Sequence, residues 1–490
     1  MPFNTKITIL NNKKCQIISD DVAMLKKLHR HLSFKIAGAE YSAAYQNGWS
    51  GITYLLSKNG KFDLGLLEKV KIFLDKSFIS YSIEDTRKPK IINEELDISN
   101  NLKKYDLIPR EHQLRIKEIT STYDRGIIRA ATGAGKTLCA ALITAKINKP
   151  TIIYVIGLDL LDQFYKLFSK LFDEEIGYIG NGVCNPARIT IASIWTIGRA
   201  LNLDKNTITD DEIELSEKDI DENNSAKIIS LLKQTKLHIF DESHVVTTST
   251  ITEIYKNIDP EYIYGFSGTP FRDDGSDLQI NGILGEQIIN VPASELIEKG
   301  LLAKPIIKFV TVPKMLTLGT QYLSVYKDYI VENEVRNDII INNIKDLLKK
   351  KYTPLVLFKQ IKHGNIIFEK MVAQGIKCGM LYGNDSLEKR NEVKYMLLSK
   401  EIEVILASTI FDLGLDLPEL SGLVLCGGGK SSIRALQRIG RVLRMIPGKK
   451  IAAVVDFYDQ AKFLKKHSHI RQKVYESEPG FKIIKSKEMK

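Results

Sequence analysis

The chain has 490 residues, more than one hydrophobic core usually serves, so two to four domains are expected. Hydrophobic residues supply 44% and charged residues 26% of it, which excludes intrinsically disordered, collagen-like and low-complexity classes. Seventy Lys and Arg against 59 Asp and Glu leave +11 at pH 7, a balance compatible with a polyanionic partner but not specific to one.

The charge is unevenly spread. Residues 1–100 carry +4, residues 101–299 carry −7 and residues 300–490 carry +14. Lys-rich solvated faces are the ordinary account of any single such run. Cys15, Cys139, Cys184, Cys378 and Cys426 lie far apart with no C-x-x-C pair. That argues against a zinc ribbon, an iron–sulfur cluster or a disulfide framework, and fits a reducing cytoplasm. The N-terminus lacks the apolar region of a signal peptide, and apolar runs such as Ile152–Leu158 stop well short of a membrane span. A soluble intracellular protein is expected.

Residues 1–100 read as a small α+β domain. Ile7–Leu10 and Cys15–Ser19 flank the turn Asn11–Lys14, and Asp20 or Asp21 can cap a helix reaching Leu32. Ile52–Leu56 and Phe62 flank Asn59-Gly60, which predicts a hairpin, and Leu64–Phe78 has helical periodicity. Arg87–Lys104 reads as a polar linker.

From Tyr105 to Gly300 short apolar runs (Ile127–Arg129, Thr151–Ile156, Ile189–Ala192, Leu237–Phe240) alternate with helical segments, the pattern of a parallel α/β sheet. An acidic insert at residues 204–224 reads either as a solvated loop or as an autoinhibitory flap over a basic groove. A second series begins near Pro305 with Leu355–Phe358, Cys378–Leu381, Val404–Ala407, Gly422–Leu425 and Ile451–Val455. The expected division is therefore 1–100, 101–300, 301–460 and a basic tail at 461–490, read equally as a phosphate-contacting extension or as plain surface.

The strongest local signal is Ala130-Ala131-Thr132-Gly133-Ala134-Gly135-Lys136-Thr137, after a strand and before the apolar helix Leu138–Ile147. Glycines there let backbone N–H groups face a phosphate at a helix N-terminus. Lys136 would reach the β- and γ-phosphates, and Thr137 would bind Mg²⁺. Ala130 stands where a P-loop usually has its first glycine. About a hundred residues on, the strand Leu237–Phe240 ends in Asp241-Glu242-Ser243-His244. Asp241 suits Mg²⁺ and Glu242 suits the attacking water, which together describe a nucleotide hydrolysis site using ATP and Mg²⁺.

Asp-Glu-Ser-His resembles the DExH form of the Walker B motif in superfamily 2 helicases, and further motifs follow in order. Ile108–Gln113 resembles the Q-motif region, with Arg110 and Gln113 as nucleotide contacts and Gln113 as the adenine reader. Val155–Phe164, including Gln163, and Ile191–Ile197, including Ser193, resemble nucleic-acid-contacting segments, although Ile156-Gly157 replaces the usual Pro-Thr. Ser267-Gly268-Thr269-Pro270 is similar to motif III, which couples hydrolysis to lobe movement, and the resemblance adds His244 to that coupling set. Leu355–Gly364, including Lys359, resembles motif IV. Ala407-Ser408-Thr409 with Gly414-Leu415-Asp416 resembles motif V, which implies strand contacts for Ser408 and Thr409 and nucleotide contacts for Gly414 and Asp416. Gln437–Arg444 is similar to motif VI. On a helix Gln437, Arg441 and Arg444 share a face, and the resemblance makes the two arginines the γ-phosphate fingers.

The resemblance covers residues 105–460 and implies two tandem RecA-like parallel-sheet lobes preceded by a small α+β domain. Thr269–Gly275, including Arg272, resembles the XPB-like DNA helicases. Tyr45–Gly51 with Phe62–Gly65 resembles the N-terminal domain of phage UvsW-type helicases, which act on branched DNA. Trp49 reads either as core packing beside a glycine turn or as a base-stacking wedge.

The expectation is thus an ATP-dependent DNA helicase or translocase, a monomeric motor with no membrane role, active in the cytoplasm of the host cell if phage-encoded. Its substrates would be forked or junction DNA, duplex and single-stranded, with RNA–DNA hybrids as a further one. The expected reactions are fork regression, Holliday-junction branch migration and dissociation of R-loops or D-loops, in phage recombination, replication and repair. The rivals are a DExH RNA helicase, a non-catalytic binding scaffold and a restriction-complex motor.

Overall fold

The structure is a computed structural model that describes residues 5–36, 39–41, 43–201, 222–242, 248–268, 277–315, 321–383, 385–408, 419–429, 439, 450–478 and 480–485. It comprises two compact units. One takes in the described residues up to Asn290 except Ala131–Ala134, which group with the other unit, made up otherwise of the chain from Val291 onward.

The first unit opens with β1 (Thr5–Ile9) and β2 (Lys14–Ser19), an antiparallel hairpin in which Ile7 faces Ile17 and Ile9 faces Cys15. Asp21 caps the helix Val22–His31 by accepting a hydrogen bond from the Met24 N–H at 2.8 Å. β3 (Ser33–Lys35) pairs only with β4 (Ile52–Tyr54), whereas β5 (Lys61–Asp63) pairs with β2, and β6 (Tyr81–Asp85) runs parallel to β1. The expected Asn59-Gly60 hairpin is therefore a tight turn between strands of different sheets. Phe62, 1% exposed, pairs with Cys15 to close the core that Ile7, Leu28, Val70 and Leu74 fill.

Arg87–Lys104, read as a linker, is strapped to the body of the unit. Lys90 pairs with Asp124 at 2.5 Å, Asn93 donates to the Asn148 carbonyl at 2.6 Å, and the Leu96 N–H donates to Ala145 at 2.9 Å. Ile98 and Leu102 are buried, so this polar stretch carries two apolar anchors.

The larger sheet of this unit contains β7 (Arg125–Ala130), β8 (Thr151–Val155), β9 (Ile176–Gly180), β10 (Val183–Asn185), β11 (Ile189–Ser193), β12 (Leu237–Phe240), β13 (Tyr262–Ser267) and β14 (Gln287–Val291). Their order is β10-β9-β11-β8-β12-β13-β7-β14, with parallel pairing from β9 through β7. Four of these were legible as apolar runs. β13 was not, because Tyr262, Tyr264 and Gly265 interrupt the aliphatic pattern. The acidic insert lies outside the described residues except for its end, where the helix Glu222–Gln234 begins.

The small N-terminal sheet docks on this body through specific contacts. Lys13 donates to the carbonyls of Tyr255 and Lys256 at 3.3 and 3.1 Å, the Tyr255 hydroxyl donates back to Lys13 at 3.1 Å, and Arg125 donates to the Asn12 carbonyl. A side chain at Gly65 would lie 2.1 Å from the Asn281 carbonyl oxygen, so only glycine allows this backbone approach.

The second unit holds a seven-stranded sheet of β15 (Lys304–Thr311), β16 (Pro354–Phe358), β17 (Cys378–Leu381), β18 (Val404–Ser408), β19 (Gly422–Leu425), β20 (Ile451–Tyr458) and β21 (Lys482–Lys485). The order β17-β18-β16-β19-β20-β15-β21 is parallel throughout, so every strand ends at one edge. The segment read as a basic tail belongs to this domain. Helix Leu464–Ser477 buries Leu464, Ser468, Arg471 and Tyr475, and β21 extends the sheet beside β15. Polar side chains at these inward positions hid the burial from a hydrophobicity reading. Among the described residues no helix is long and apolar enough to cross a membrane.

Candidate nucleotide site and strand-facing edge

The carboxyl ends of β7, β13 and β12 are neighbours, and each delivers one motif. β7 runs into the glycine loop, where Gly133 and Gly135 have φ of +89° and +78°, a region L-residues rarely adopt. Gly135 caps the helix Lys136–Ile147, whose first-turn N–H groups and dipole make an anion site. Thr132 and Ala134 lie in the loop, Thr137 in the first turn.

Lys136 makes an ion pair with Glu242. Burial disfavours its charge, but the Glu242 and Asp241 carboxylates outweigh that and hold its pKa above the ordinary value. Asp241 is 4% exposed, and its pKa is pushed up to about 6 by burial, against the pull of Lys136 and with the repulsion of Glu242. Its backbone N–H donates to the Tyr154 carbonyl at 2.9 Å, while its Oδ1 is buried with no hydrogen-bond partner among the described residues. Glu242 has φ +48°, a left-handed conformation that costs a non-glycine residue on the order of 1–3 kcal/mol and directs its carboxylate at Lys136.

The sequence did not reveal how this pair is supported. Tyr154 on β8 stacks on Phe240 with centroids 4.3 Å apart, and its hydroxyl lies 2.9 Å from His238 Nδ1. Burial pushes the His238 pKa down to about 3, so the imidazole is neutral behind the acidic pair. On the loop side, Gln113 accepts from the Arg110 N–H at 2.8 Å and its carboxamide N–H approaches the Gly135 carbonyl at 3.5 Å. Gln113 thus joins the preceding helix to the P-loop, while the Arg110 side chain is exposed. Ser267 and Gly268 end β13 between the two halves of the site, and Ser267 is buried. His244, Thr269 and Arg272 lie outside the described residues.

Ser193 ends β11 and is buried, whereas Gln163 is exposed on the helix Leu158–Leu171. Trp49 is half-buried, and its indole N–H donates within its own loop to the Ile52 carbonyl at 3.3 Å. In the second unit Phe358 pairs with Ser408, which puts Ser408 and the exposed Lys359 at one sheet edge. Ser408 Oγ is buried without a hydrogen-bond partner among the described residues. A side chain at Gly427 would lie 2.9 Å from the Lys359 nitrogen, so the turn after β19 packs directly on this edge. Thr409, Gly414, Asp416, Gln437, Arg441 and Arg444 lie outside the described residues.

A turn after β19 has support that sequence reasoning missed. Arg471 grips Asp456 with two hydrogen bonds of 2.9 and 3.0 Å, and also donates to the Gly429 carbonyl at 2.6 Å. Tyr326 donates to the Gly427 carbonyl at 2.6 Å, and Arg336 pairs with Asp459 at 2.8 Å, both wholly buried. Isolated Arg and Asp residues 15 and 123 positions apart give no sequence signal.

Residues 99–272 match the family model described as "Type III restriction enzyme, res subunit", and residues 337–446 match "Helicase conserved C-terminal domain". The chain is a superfamily 2 helicase. It is similar to "ATP-dependent DNA helicase uvsW" of Enterobacteria phage T4, at 26% identity covering 91% of this chain and 89% of that protein. It is also similar to "DNA 3'-5' translocase XPB2" of Sulfurisphaera tokodaii, at 24% identity over 75% and 87% of the two chains. The Dbp5 structure from S. cerevisiae, with RNA and ADP BeF3, matches 80% of this chain and 94% of its own at a TM-score of 0.55 and 12% identity, a likeness of fold. The helicase is therefore an ATP-dependent enzyme acting on nucleic acid, built on tandem RecA-like parallel sheets.

Proposed function

We propose that this helicase is a DNA motor that remodels branched DNA, regressing forks, migrating Holliday junctions and dissociating displaced-strand loops. The observation that carries the ATP-driven part is the convergence of Lys136, Asp241 and Glu242 at one sheet edge. The similarity to a phage DNA helicase over 91% of the chain supports DNA as the substrate, and the resemblance of Tyr45–Gly51 and Phe62–Gly65 to phage UvsW-type helicases supports branched DNA.

Lys136 holds the β- and γ-phosphates, the Gly133–Gly135 backbone cradles them, and Glu242 orients the attacking water. Glu242 must leave Lys136 to do so, which makes their ion pair a resting arrangement replaced by substrate. Mg²⁺ fits Thr137 and Asp241, whose buried Oδ1 lacks any partner among the described residues, and when bound it neutralises phosphate charge. Gln437, Arg441 and Arg444 supply the second lobe's share of γ-phosphate recognition. Ser267, Gly268, Thr269 and His244 couple hydrolysis to motion, and Gln163, Ser193, Arg272, Lys359, Ser408 and Thr409 grip the strand.

The deciding experiment is the ATPase rate with single-stranded DNA, duplex, fork, four-way junction and RNA at one salt concentration, because affinity for phosphates varies steeply with salt. Stimulation greatest with forks and junctions is expected. Equal or greater stimulation by RNA would replace the DNA reading with an RNA helicase.

A further inference from the structure

We propose that the turn and helix after β20 form an additional single-strand subsite, in which a base stacks on Phe463 and the flanking phosphates meet Lys462, Lys465 and Lys466. The proposal deepens the nucleic-acid reading above and rests on it. A cleft of about 520 Å³ opens here, lined by Tyr458, Lys462, Phe463, Lys465, Lys466 and His469 among others, with no carboxylate in its wall among the described residues.

The platform is specific in its geometry. Phe463 has φ +64° and ψ −47°, and the Leu464 N–H donates to the Lys462 carbonyl at 2.7 Å, so Phe463 is the central residue of a γ-turn of the rare strained kind. The ring is 39% exposed, although Ala461, two residues before it, and Leu464, directly after it, are in the core. Tyr322 supports the ring edge-on at 6.2 Å, and the Lys462 ammonium lies 5.1 Å from its centroid.

The helix that follows is rigidly mounted. Its inward face is clamped to the end of β20: Ser468 accepts from the Asp459 N–H at 3.1 Å, and Arg471 and Tyr475 both bond Asp456. Its outward face presents Lys465, Lys466 and His469 at helical spacing. Among the described residues neither Lys462, Lys465 nor Lys466 forms an ion pair, unlike Lys6, Lys14, Lys69 and Lys71 of the N-terminal domain. Unneutralised cations beside an exposed aromatic face are the elements of single-strand binding, since an unpaired strand alone offers free base faces.

Topology supplies the link to the motor. All strands of this sheet are parallel, so the cleft after β20 lies on the same carboxyl edge as Lys359 after β16 and Ser408 ending β18. Ligands of open parallel sheets bind outside that edge.

The test uses the full-length protein with fluorescein-labelled dT20 and rU20, measured by anisotropy from about 50 to 200 mM salt. The combined variant Lys462→Ala/Lys465→Ala/Lys466→Ala should lower the salt slope by about 2 and weaken binding more than about 10-fold. Phe463→Leu, which keeps an apolar side chain in the same turn, should weaken binding about 5- to 150-fold with an unchanged slope. ATP hydrolysis without nucleic acid should stay at the wild-type rate in both. Loss on dT20 and rU20 alike means that phosphate and base stacking suffice, and loss on dT20 alone identifies a DNA strand; either result supports the subsite. Wild-type affinity and slope in both variants overturn it. If the unaltered protein binds neither oligonucleotide and its ATPase is not stimulated by them, the motor reading itself fails.

Discussion

Arg471 offers the sharpest quantitative test of the second lobe. It is 3% exposed, and its partner Asp456 is fully buried. Replacing Arg471 by Met preserves the aliphatic stem but leaves Asp456, among the described residues, with only the Tyr475 hydroxyl and the Phe457 N–H, both at 2.7 Å. The carbonyls of Phe457 and Gly429 lose their charged donor as well. Breaking one side of a buried, hydrogen-bonded pair typically costs about 3–5 kcal/mol. For a unit of about 200 residues that amounts to a fall in Tm of roughly 6–20 °C. Calorimetry reads this directly, and it is needed because both tryptophans, Trp49 and Trp195, belong to the first unit. Arg471→Lys should fall between, since an ammonium keeps the charge but cannot bond both carboxylate oxygens in a planar fork. Arg471→Met combined with Asp456→Leu should recover much of the loss because no buried charge is then stranded. A loss below about 1 kcal/mol in the single Met variant, or a double variant worse than the single, would refute the account. Gly429 immediately precedes the segment carrying Gln437, Arg441 and Arg444, so Arg471→Lys should also lower the ATPase kcat while leaving the KM for ATP near wild type.

Lys136→Ala or Glu242→Gln should abolish nucleic-acid-stimulated ATP hydrolysis in a coupled phosphate-release assay; persistent turnover would remove both from the hydrolysis site. Gly65→Ala should loosen the N-terminal sheet, because the new Cβ would sit 2.1 Å from a backbone oxygen, and limited proteolysis should then release residues 1–86 faster than in the wild type. Deleting residues 1–100 should impair junction remodelling while leaving some ATPase activity, and normal junction handling by the truncated protein would refute the assignment. His363, buried against Asn337 at 3.0 Å, has its pKa pushed down to about 3 by burial and by the nearby Arg336 charge. The unfolded chain therefore binds the extra proton between about pH 6.5 and 3, and stability must fall as pH falls through that window, by about 1.4 kcal/mol per unit. Urea melts at pH 7 and 5 should show a smaller loss for His363→Gln; an equal loss in both proteins would show that this histidine is not the cause.

Legibility from sequence followed how local each signal is. The glycine loop and the Asp241-Glu242 strand end are contiguous, and their convergence follows from the parallel order of β7, β13 and β12. What pairs Lys136 with Glu242 is less local, for it depends on the left-handed backbone at Glu242, which no residue type announces. The Asn59-Gly60 turn shows the converse: the dipeptide marks a tight turn, yet pairing partners are chosen by where Phe62 and Ile52 are buried. Arg87–Lys104 read as a linker because its anchors, Ile98 and Leu102, are few, while its hold on the sheet comes from backbone and Asn, Lys contacts.

The basic excess of the C-terminal third has a similar explanation. Composition could not separate Lys465 and Lys466 from Arg471, though their roles are opposite. Arg471 is a structural charge, neutralised by Asp456 and turned inward with Ser468 and Tyr475. Lys465 and Lys466 stand on the other face of the same helix, with no carboxylate among the described residues of the cleft beside them. A charge count adds the three; burial distinguishes the one that fixes the helix from the two that remain available to phosphates. The cations able to serve a polyanion are therefore those that the fold leaves unpaired, and on this helix the buried Arg471–Asp456 pair is what holds them in position.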